Sequence, residues 1–260
     1  MLIVLCEQTG KWPAIRVVHS PFERKCMKLA IMQPYFLPYI GYFQLMNIVD
    51  KFVIYDNVQF IKDGWINRNR ILVNQQDKMF TLPLKKDTYT VLINERFLAK
   101  EQWRKEQRKL IMQIEQNYRK APCYREVYPI IVDCIQNDSE RLVDLIEYAL
   151  RQLRVYLGIS CELILSSTLN VDQSLAGQGK VLSICKEMGA TQYINAIGGV
   201  DLYNKKTFRD QGIQLSFIKS KEIVYPQFKN EFMPWLSIID VMMFNPAEKI
   251  QEYLNRYELV

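Results

Sequence analysis

Histidine is nearly absent: the 260 residues contain one, His19. Its position removes His-based metal sites and Ser/His/Asp or Cys/His nucleophile pairs from everything downstream. Any general acid or base must then be a carboxylate, lysine, tyrosine or cysteine, or the chemistry rests on positioning and electrostatics. The six cysteines, at 6, 26, 123, 134, 161 and 185, form no CxxC pair and no tight cluster. In a chain too large to need staples they read as reduced cytoplasmic thiols, and no metal is expected. No apolar run approaches the ~20 residues that cross a bilayer, and Asp240 breaks the stretch 236–244. Basic residues number 34 against 28 acidic, a net charge of +6, but they are interspersed. The cluster Arg104 to Lys109 is interrupted by Glu106, so DNA binding is not expected. At the amino end, Leu2 to Cys6 is too short for a signal-peptide core, and Lys11 and Arg16 follow it instead of preceding it. Residues 1–26 are therefore expected to be a disordered or dispensable extension, and 27–260 one α/β domain with a helical insertion at about 100–158.

What the chain does have is a run from Lys28 to Arg70 that strings polar side chains between two strand-like segments. The apolar run Leu29–Met32 ends in Gln33-Pro34, and a proline- and aromatic-rich turn follows through Tyr35 to Pro38. Gly41 opens an apolar helical segment, Tyr42–Val49, ahead of a second run, Phe52–Tyr55. Strand, loop, helix, strand is the unit of α/β sheets. Ligands of such sheets lie outside the carboxyl ends of strands, where Gln33, Tyr35, Asp56, Asn57 and Gln59 would fall. The second loop continues into Lys62, Trp65, Asn67, Arg68, Asn69 and Arg70. These supply amide and guanidinium donors for phosphate or carboxylate beside aromatic faces for a sugar or base. A polar turn with solvated arginines would carry the same residue types.

Farther along, Ile71–Val73 and Met79–Leu84 read as a hairpin about Asn74 to Asp77, and Val91–Phe97 as another strand. Gln102–Tyr118 and Leu142–Leu157 carry apolar residues at spacings of three, four and seven, as packing helices do, with a short turn and helix between Pro122 and Pro129. The α/β pattern then returns. Strands are expected over Glu162–Leu165, Gln192–Asn195 and Ile213–Ile218, and helices over Lys180–Met188 and Lys205–Gln211, closed by Gly189 and Gly212. Gly198-Gly199 follows the middle strand, where missing β-carbons would let backbone amides approach an anion; a plain tight turn uses the same pair. Ser166-Ser167-Thr168 and Gly177-Gln178-Gly179 read as a loop and a helix start, the latter too short for a P-loop. Pro234 suits the first turn of an apolar helix, Leu236–Phe244, and Glu231 ahead of it is a candidate acid or base, or a helix-dipole partner. Asp240 inside that helix must be paired or shifted in pKa, with lysine or arginine the expected partner. A polar helix, 247–257, closes the chain.

Several of these strings together resemble the WbqC-like proteins, a family found with bacterial genes for O-antigen and other surface polysaccharides. The resemblance is carried by Gln33-Pro34-Tyr35 through Pro38, Gly41-Tyr42-Phe43, Tyr55-Asp56 with Gln59, Trp65 to Arg70, Tyr193-Ile194-Asn195 with Gly198-Gly199, and Glu231 to Ser237, in that order. It implies transfer of glycine onto an amino sugar during O-antigen synthesis. The opening unit is also similar to nucleotidyltransferases that carry His-x-Gly-His, but neither histidine is present, so only a nucleotide pocket carries over.

The chain thus reads as a cytoplasmic α/β protein. Strand-loop-helix-strand units at both ends form a mostly parallel sheet, with the helical insertion in the middle, and the two halves meet at one polar cleft. The expected function is a transferase of polysaccharide assembly acting on a nucleotide-linked amino sugar with an activated acyl donor. Asp56 and Glu231 are the candidate catalytic residues. Gln33, Tyr35, Gln59, Lys62, Asn67, Arg68, Arg70, Asn195, Gly198 and Gly199 are the candidate binding residues. No cofactor is called for, although a nucleotide is compatible. A non-catalytic binding or scaffold protein and a nucleotide-dependent adenylating enzyme are the alternatives.

Overall fold

A computed structural model describes residues 26–88, 90–229 and 231–260. All but the last residue of the expected amino-terminal extension lies outside the described residues. Five parallel strands build the centre: β1 (Lys28–Met32), β2 (Lys51–Ile54), β5 (Glu162–Leu165), β6 (Gln192–Ala196) and β7 (Gln214–Ser220). A short β8 (Tyr257–Leu259) adds antiparallel to β7, giving the order β5-β2-β1-β6-β7-β8. Between β2 and β5 stand a separate hairpin, β3 (Arg68–Val73) with β4 (Gln76–Thr81), and three helices, α2 (Lys100–Tyr118), α3 (Tyr124–Gln136) and α4 (Leu142–Tyr156). The remaining helices are α1 (Ile40–Asn47), α5 (Gly177–Glu187), α6 (Lys205–Asp210), α7 (Ile238–Phe244) and α8 (Ala247–Leu254).

The apolar runs of β1 and β2 are continuous because the sheet is covered on both faces. Successive side chains point oppositely. Leu29, Ile31 and Val53 therefore pack with Val181, Ile184 and Phe208 of α5 and α6, whereas Ala30, Phe52 and Ile54 join the larger core of α1, α7, α8 and the inserted helices. The chain leaves β1 towards β2 and leaves β6 towards β7, in opposite directions along the sheet. Its topological switch point is therefore the crevice at the carboxyl ends of β1 and β6.

Five expectations differ from the structure. The short helix expected between Pro122 and Pro129 runs instead over Tyr124–Gln136, with Pro129 inside it. Val91–Phe97 is no strand: it holds a 3₁₀ turn, Ile93–Glu95, and touches its neighbours through isolated bridges such as Gln59↔Leu92. The hairpin turn has two residues, Asn74 (φ 49°) and Gln75 (φ 67°), the positive pair a tight right-twisted hairpin needs. The terminal helix stops at Leu254, and the chain then pairs with β7, covering what would be an open edge. The apolar helix begins at Ile238, where the Ser237 hydroxyl caps the Ile239 amide, so Pro234 precedes it.

Candidate functional site

The carboxyl edge of the sheet gathers a polar cluster from three elements. Asp56, just past β2, is 1% exposed. Its Oδ1 accepts from the Ser166 hydroxyl (2.8 Å) and the Ser167 amide (2.9 Å), both just past β5. Its Oδ2 accepts from the Ser167 hydroxyl at 2.6 Å, and Ser167 is exposed. Ser166 Oγ also lies 2.6 Å from Asn57 Oδ1 and accepts the Asp56 amide, so one hydroxyl proton serves two acceptors. Lys180, on the first turn of α5, is 5% exposed; its Nζ donates to the Asn57 carbonyl at 2.9 Å and stands 5.7 Å from the centre of the Tyr55 ring. Burial lowers the Lys180 pKa, opposed by the Asp56 charge. The Tyr55 phenol is pushed up to about 12, by burial first and by Tyr203 second.

At the switch point Gln33 is half-buried, with its carbonyl accepting from the Tyr42 hydroxyl (3.0 Å). The Tyr35 ring lies 5.6 Å from that of Tyr42, tilted 41° to it, and burial raises its pKa. Asn195, one residue before the end of β6, accepts the Ala196 amide on its side-chain Oδ1 at 2.8 Å. A β-carbon on Gly199 would lie 2.5 Å from Asn195 Nδ2, so a larger residue there would make the end of that side chain shift, whereas Gly198 is exposed with open space around it. Gln59 is exposed and bridges to Leu92; Lys62 is exposed.

The arginines sit on β3, two residues apart and hence on one face. Arg68 pairs with Asp63 (3.3 Å) and Arg70 with Asp77 (2.8 Å), and both guanidinium groups stand over Trp65, at 5.8 and 5.6 Å. Their amide neighbours brace backbone. Asn67 Nδ2 donates to the Leu82 carbonyl (2.9 Å), and Asn69 Nδ2 holds the carbonyls of Leu37 (2.7 Å) and Phe36 (3.3 Å). The Ser237 hydroxyl also donates to the Leu37 carbonyl, and the Ser237 amide donates to the Arg70 carbonyl. These bonds weld the β1–α1 loop, the start of β3 and the start of α7 into one body.

Glu231 is exposed in the segment before α7. Asp240 is fully buried, and its partners are not the expected lysine or arginine but Tyr118 (2.9 Å), Tyr225 (2.7 Å) and Gln227 (2.7 Å). Neutral donors satisfy the carboxylate without bringing a second charge out of water. Burial raises its pKa against the lowering effect of these bonds. Among the described residues no group of three or more His, Cys, Asp or Glu side chains could hold a metal, and the five cysteines are free.

Lys180, Ser166 and Ser167 are the residues the sequence reading passed over. The signals were available. A lysine in a helix's first turn opposes the dipole, and the strand-end rule applied to β1, β2 and β6 applies equally to β5.

Fold and site define a doubly wound α/β protein with a polar carboxyl-edge cluster. A model of the WbqC-like protein family matches residues 33–252, and the chain belongs to that family. It is also 26% identical over 230 residues to "Uncharacterized protein Rv1507c" of Mycobacterium tuberculosis (strain ATCC 25618 / H37Rv), covering 87% of this chain and 97% of that protein. No solved structure matches. Among the described residues no helix is long and apolar enough to cross a membrane.

Proposed function

We propose that the protein is a cytoplasmic transferase of surface-polysaccharide assembly that places an acyl group, such as glycyl, on the amine of a nucleotide-linked amino sugar. The observation that carries this reading is the 2.6 Å contact between the exposed Ser167 hydroxyl and the buried Asp56 carboxylate. As the amine attacks the carbonyl of the activated donor, the N–C bond forms and the amine proton passes to Ser167 Oγ while Ser167 gives its own to Asp56 Oδ2; the tetrahedral adduct then breaks its bond to the donor's leaving group, which departs with that proton. Lys180 supplies positive charge behind the carboxylate, and Glu231 is the second candidate proton acceptor. Lys62, Arg68 and Arg70 hold phosphate. The two arginines give up Asp63 and Asp77 to do so, since exposed ion pairs are worth only about 0–1 kcal/mol. Gln33, Tyr35, Gln59 and Asn195 face the sugar or acyl carbonyl, Gly198 and Gly199 bring backbone amides to an oxyanion, and Asn67 keeps the arginine strand in place.

One observation favours a binding role without turnover: protein donors already hold both Asp56 oxygens. A thermal-shift panel against ATP, glycine, coenzyme A thioesters and nucleotide-linked amino sugars separates the readings, because a ligand at 100 times its Kd adds about 2.7 kcal/mol. Stabilisation by an amino-sugar nucleotide supports the transferase, ATP alone an adenylating enzyme, and silence a scaffold. Asp56→Asn should then bind the sugar nucleotide and fail to turn over; full activity in that variant removes Asp56 from the mechanism.

A further inference from the structure

The two outer edges of the β3–β4 hairpin differ. In an antiparallel ladder, residues that bond the partner strand alternate with residues whose N–H and C=O point away from it. On β3 the Arg70 carbonyl accepts the Ser237 amide and the Leu72 amide donates to Tyr118 Oη (2.8 Å), so these two residues point away from β4 and their edge is closed. Their cross-strand partners Met79 and Asp77 therefore point away from β3, as does Thr81 opposite Arg68. Among the described residues no hydrogen bond from outside the hairpin reaches the backbone of these three, and all three are exposed. An open edge of this kind is a template for another strand.

Helix α2 flanks that edge, and the two enclose a groove of about 340 Å³. Lys78 and Phe80, two residues apart, share one face of β4. Phe80 is buried and, like Trp103 of α2, meets the Phe36 ring edge-on. Trp103 and Leu110 give the groove an apolar wall. The Trp103 indole N–H is buried without an acceptor, a state in which few donors are left. At the rim Lys109 pairs with Glu106 (3.0 Å), whereas Lys78 has no carboxylate partner among the described residues.

We propose that this groove takes an extended acidic peptide segment of a partner protein, which pairs with β4 as a further strand. Its backbone meets the amides and carbonyls of Asp77, Met79 and Thr81. Its inward side chains place an apolar residue opposite Phe80, against Trp103 and Leu110, and a carboxylate two residues away opposite Lys78. Main-chain pairing supplies affinity, and the side-chain positions supply selectivity. A second copy of this chain is the poorer match, because its own β4 edge brings Lys78 where the groove calls for a carboxylate. The interaction is independent of the transferase reading, since the groove is lined by none of the residues given roles there.

The probe is acetyl-Thr-Glu-Thr-Val-Thr-Glu-Thr-amide, which sets valine and two glutamates on one face of a strand. Titrated into the full chain, it should bind at millimolar concentration or below, with amide shifts in β4 and α2. Lysine in place of both glutamates should weaken binding at least fivefold. Two versions N-methylated on alternate amides, in opposite phase, should behave differently: one loses binding and the other keeps it, because only one edge of the peptide faces β4. Met79→Pro removes an outward N–H without touching a bond to β3 and should lower affinity at least tenfold, whereas Met79→Ala keeps that amide and should bind within threefold of the native protein. If Met79→Pro does not fold, Lys78→Glu carries the test: it should weaken the acidic probe and strengthen the lysine version. No binding to the native protein, equal affinity of the two N-methylated versions, or indifference to Lys78→Glu overturns the proposal. A dimer in sedimentation that Met79→Pro dissociates also overturns it and assigns the edge to a second copy.

Discussion

The Tyr118 hydroxyl donates to Asp240 Oδ2 at 2.9 Å while accepting the Leu72 amide at 2.8 Å. One phenol thus ties α2, β3 and α7 together inside the core. Removing it leaves a buried N–H without an acceptor and takes a donor from a buried carboxylate. Tyr118→Phe should therefore cost about 1–3 kcal/mol in urea unfolding, although it preserves the ring packing.

Asp240 also makes stability depend on pH in a direction opposite to that of a salt-bridged carboxylate. Its folded pKa is raised above the ordinary 3.8, chiefly by burial, so the folded state holds its proton more tightly than the unfolded state. The contribution is fully present below pH 3.8 and is lost as pH rises through the folded pKa. Asp240→Asn abolishes this titration. The stability advantage of the native protein over the variant, measured by urea unfolding between pH 4 and 7, should shrink as pH rises.

The adjacent glycines after β6 make a paired prediction. A methyl at position 198 meets open space, so Gly198→Ala should change stability by less than about 0.5 kcal/mol. A methyl at 199 would lie 2.5 Å from Asn195 Nδ2, and the amide must leave its place. Gly199→Ala should therefore be more destabilising than Gly198→Ala in urea unfolding, and hydrogen exchange should increase at the end of β6.

What the sequence made legible follows from range. β1, β2, β5 and β6 were readable because each is a short apolar run bounded by turn residues, and Asp56 stood out as a polar residue just past one of them. The partners of Asp56 were not readable. Ser166 and Ser167 lie in the turn just past β5, a strand that pairs with β2 only in the folded sheet, 110 residues away in the case of Ser166. Asp240 was recognised as anomalous, but tyrosines replaced the expected cation because burial favours neutral donors. Asn67 and Asn69 looked like ligand donors; their amides instead hold the Leu82, Leu37 and Phe36 carbonyls, a demand invisible without the loop geometry.

Asn69 accordingly predicts a loss that reaches the β1–α1 loop. Leu37 sits at φ +46°, a strained conformation for a branched residue, and Asn69 Nδ2 and Ser237 Oγ grip its carbonyl from two sides. Asn69→Ala removes one grip and leaves buried carbonyls short of a donor, at a cost of about 1–3 kcal/mol. Leu37→Gly relieves the positive φ but deletes a fully buried side chain, so it is itself a loss of about 2–5 kcal/mol. Because both changes act on the same loop, the double variant should lose less than the sum of the two, and full additivity would count against coupling.

Ser167→Ala separates chemistry from architecture at the carboxyl edge. The Ser167 amide still donates to Asp56 Oδ1, and Ser166 still holds the same oxygen, so the clamp between β2 and β5 survives. Only the hydroxyl on Oδ2 is lost, and it lies at an exposed residue, so stability should change by no more than about 1 kcal/mol. If the proton of an attacking amine travels through that hydroxyl, turnover should fall by about 10²–10⁴ while sugar-nucleotide affinity stays within twofold. Ser167→Thr keeps a hydroxyl on the same carbon and should restore a measurable part of the rate. A Ser167→Ala enzyme with native turnover, folded and binding normally, would move the proton acceptor to Glu231 and leave the Asp56 cluster as a structural clamp.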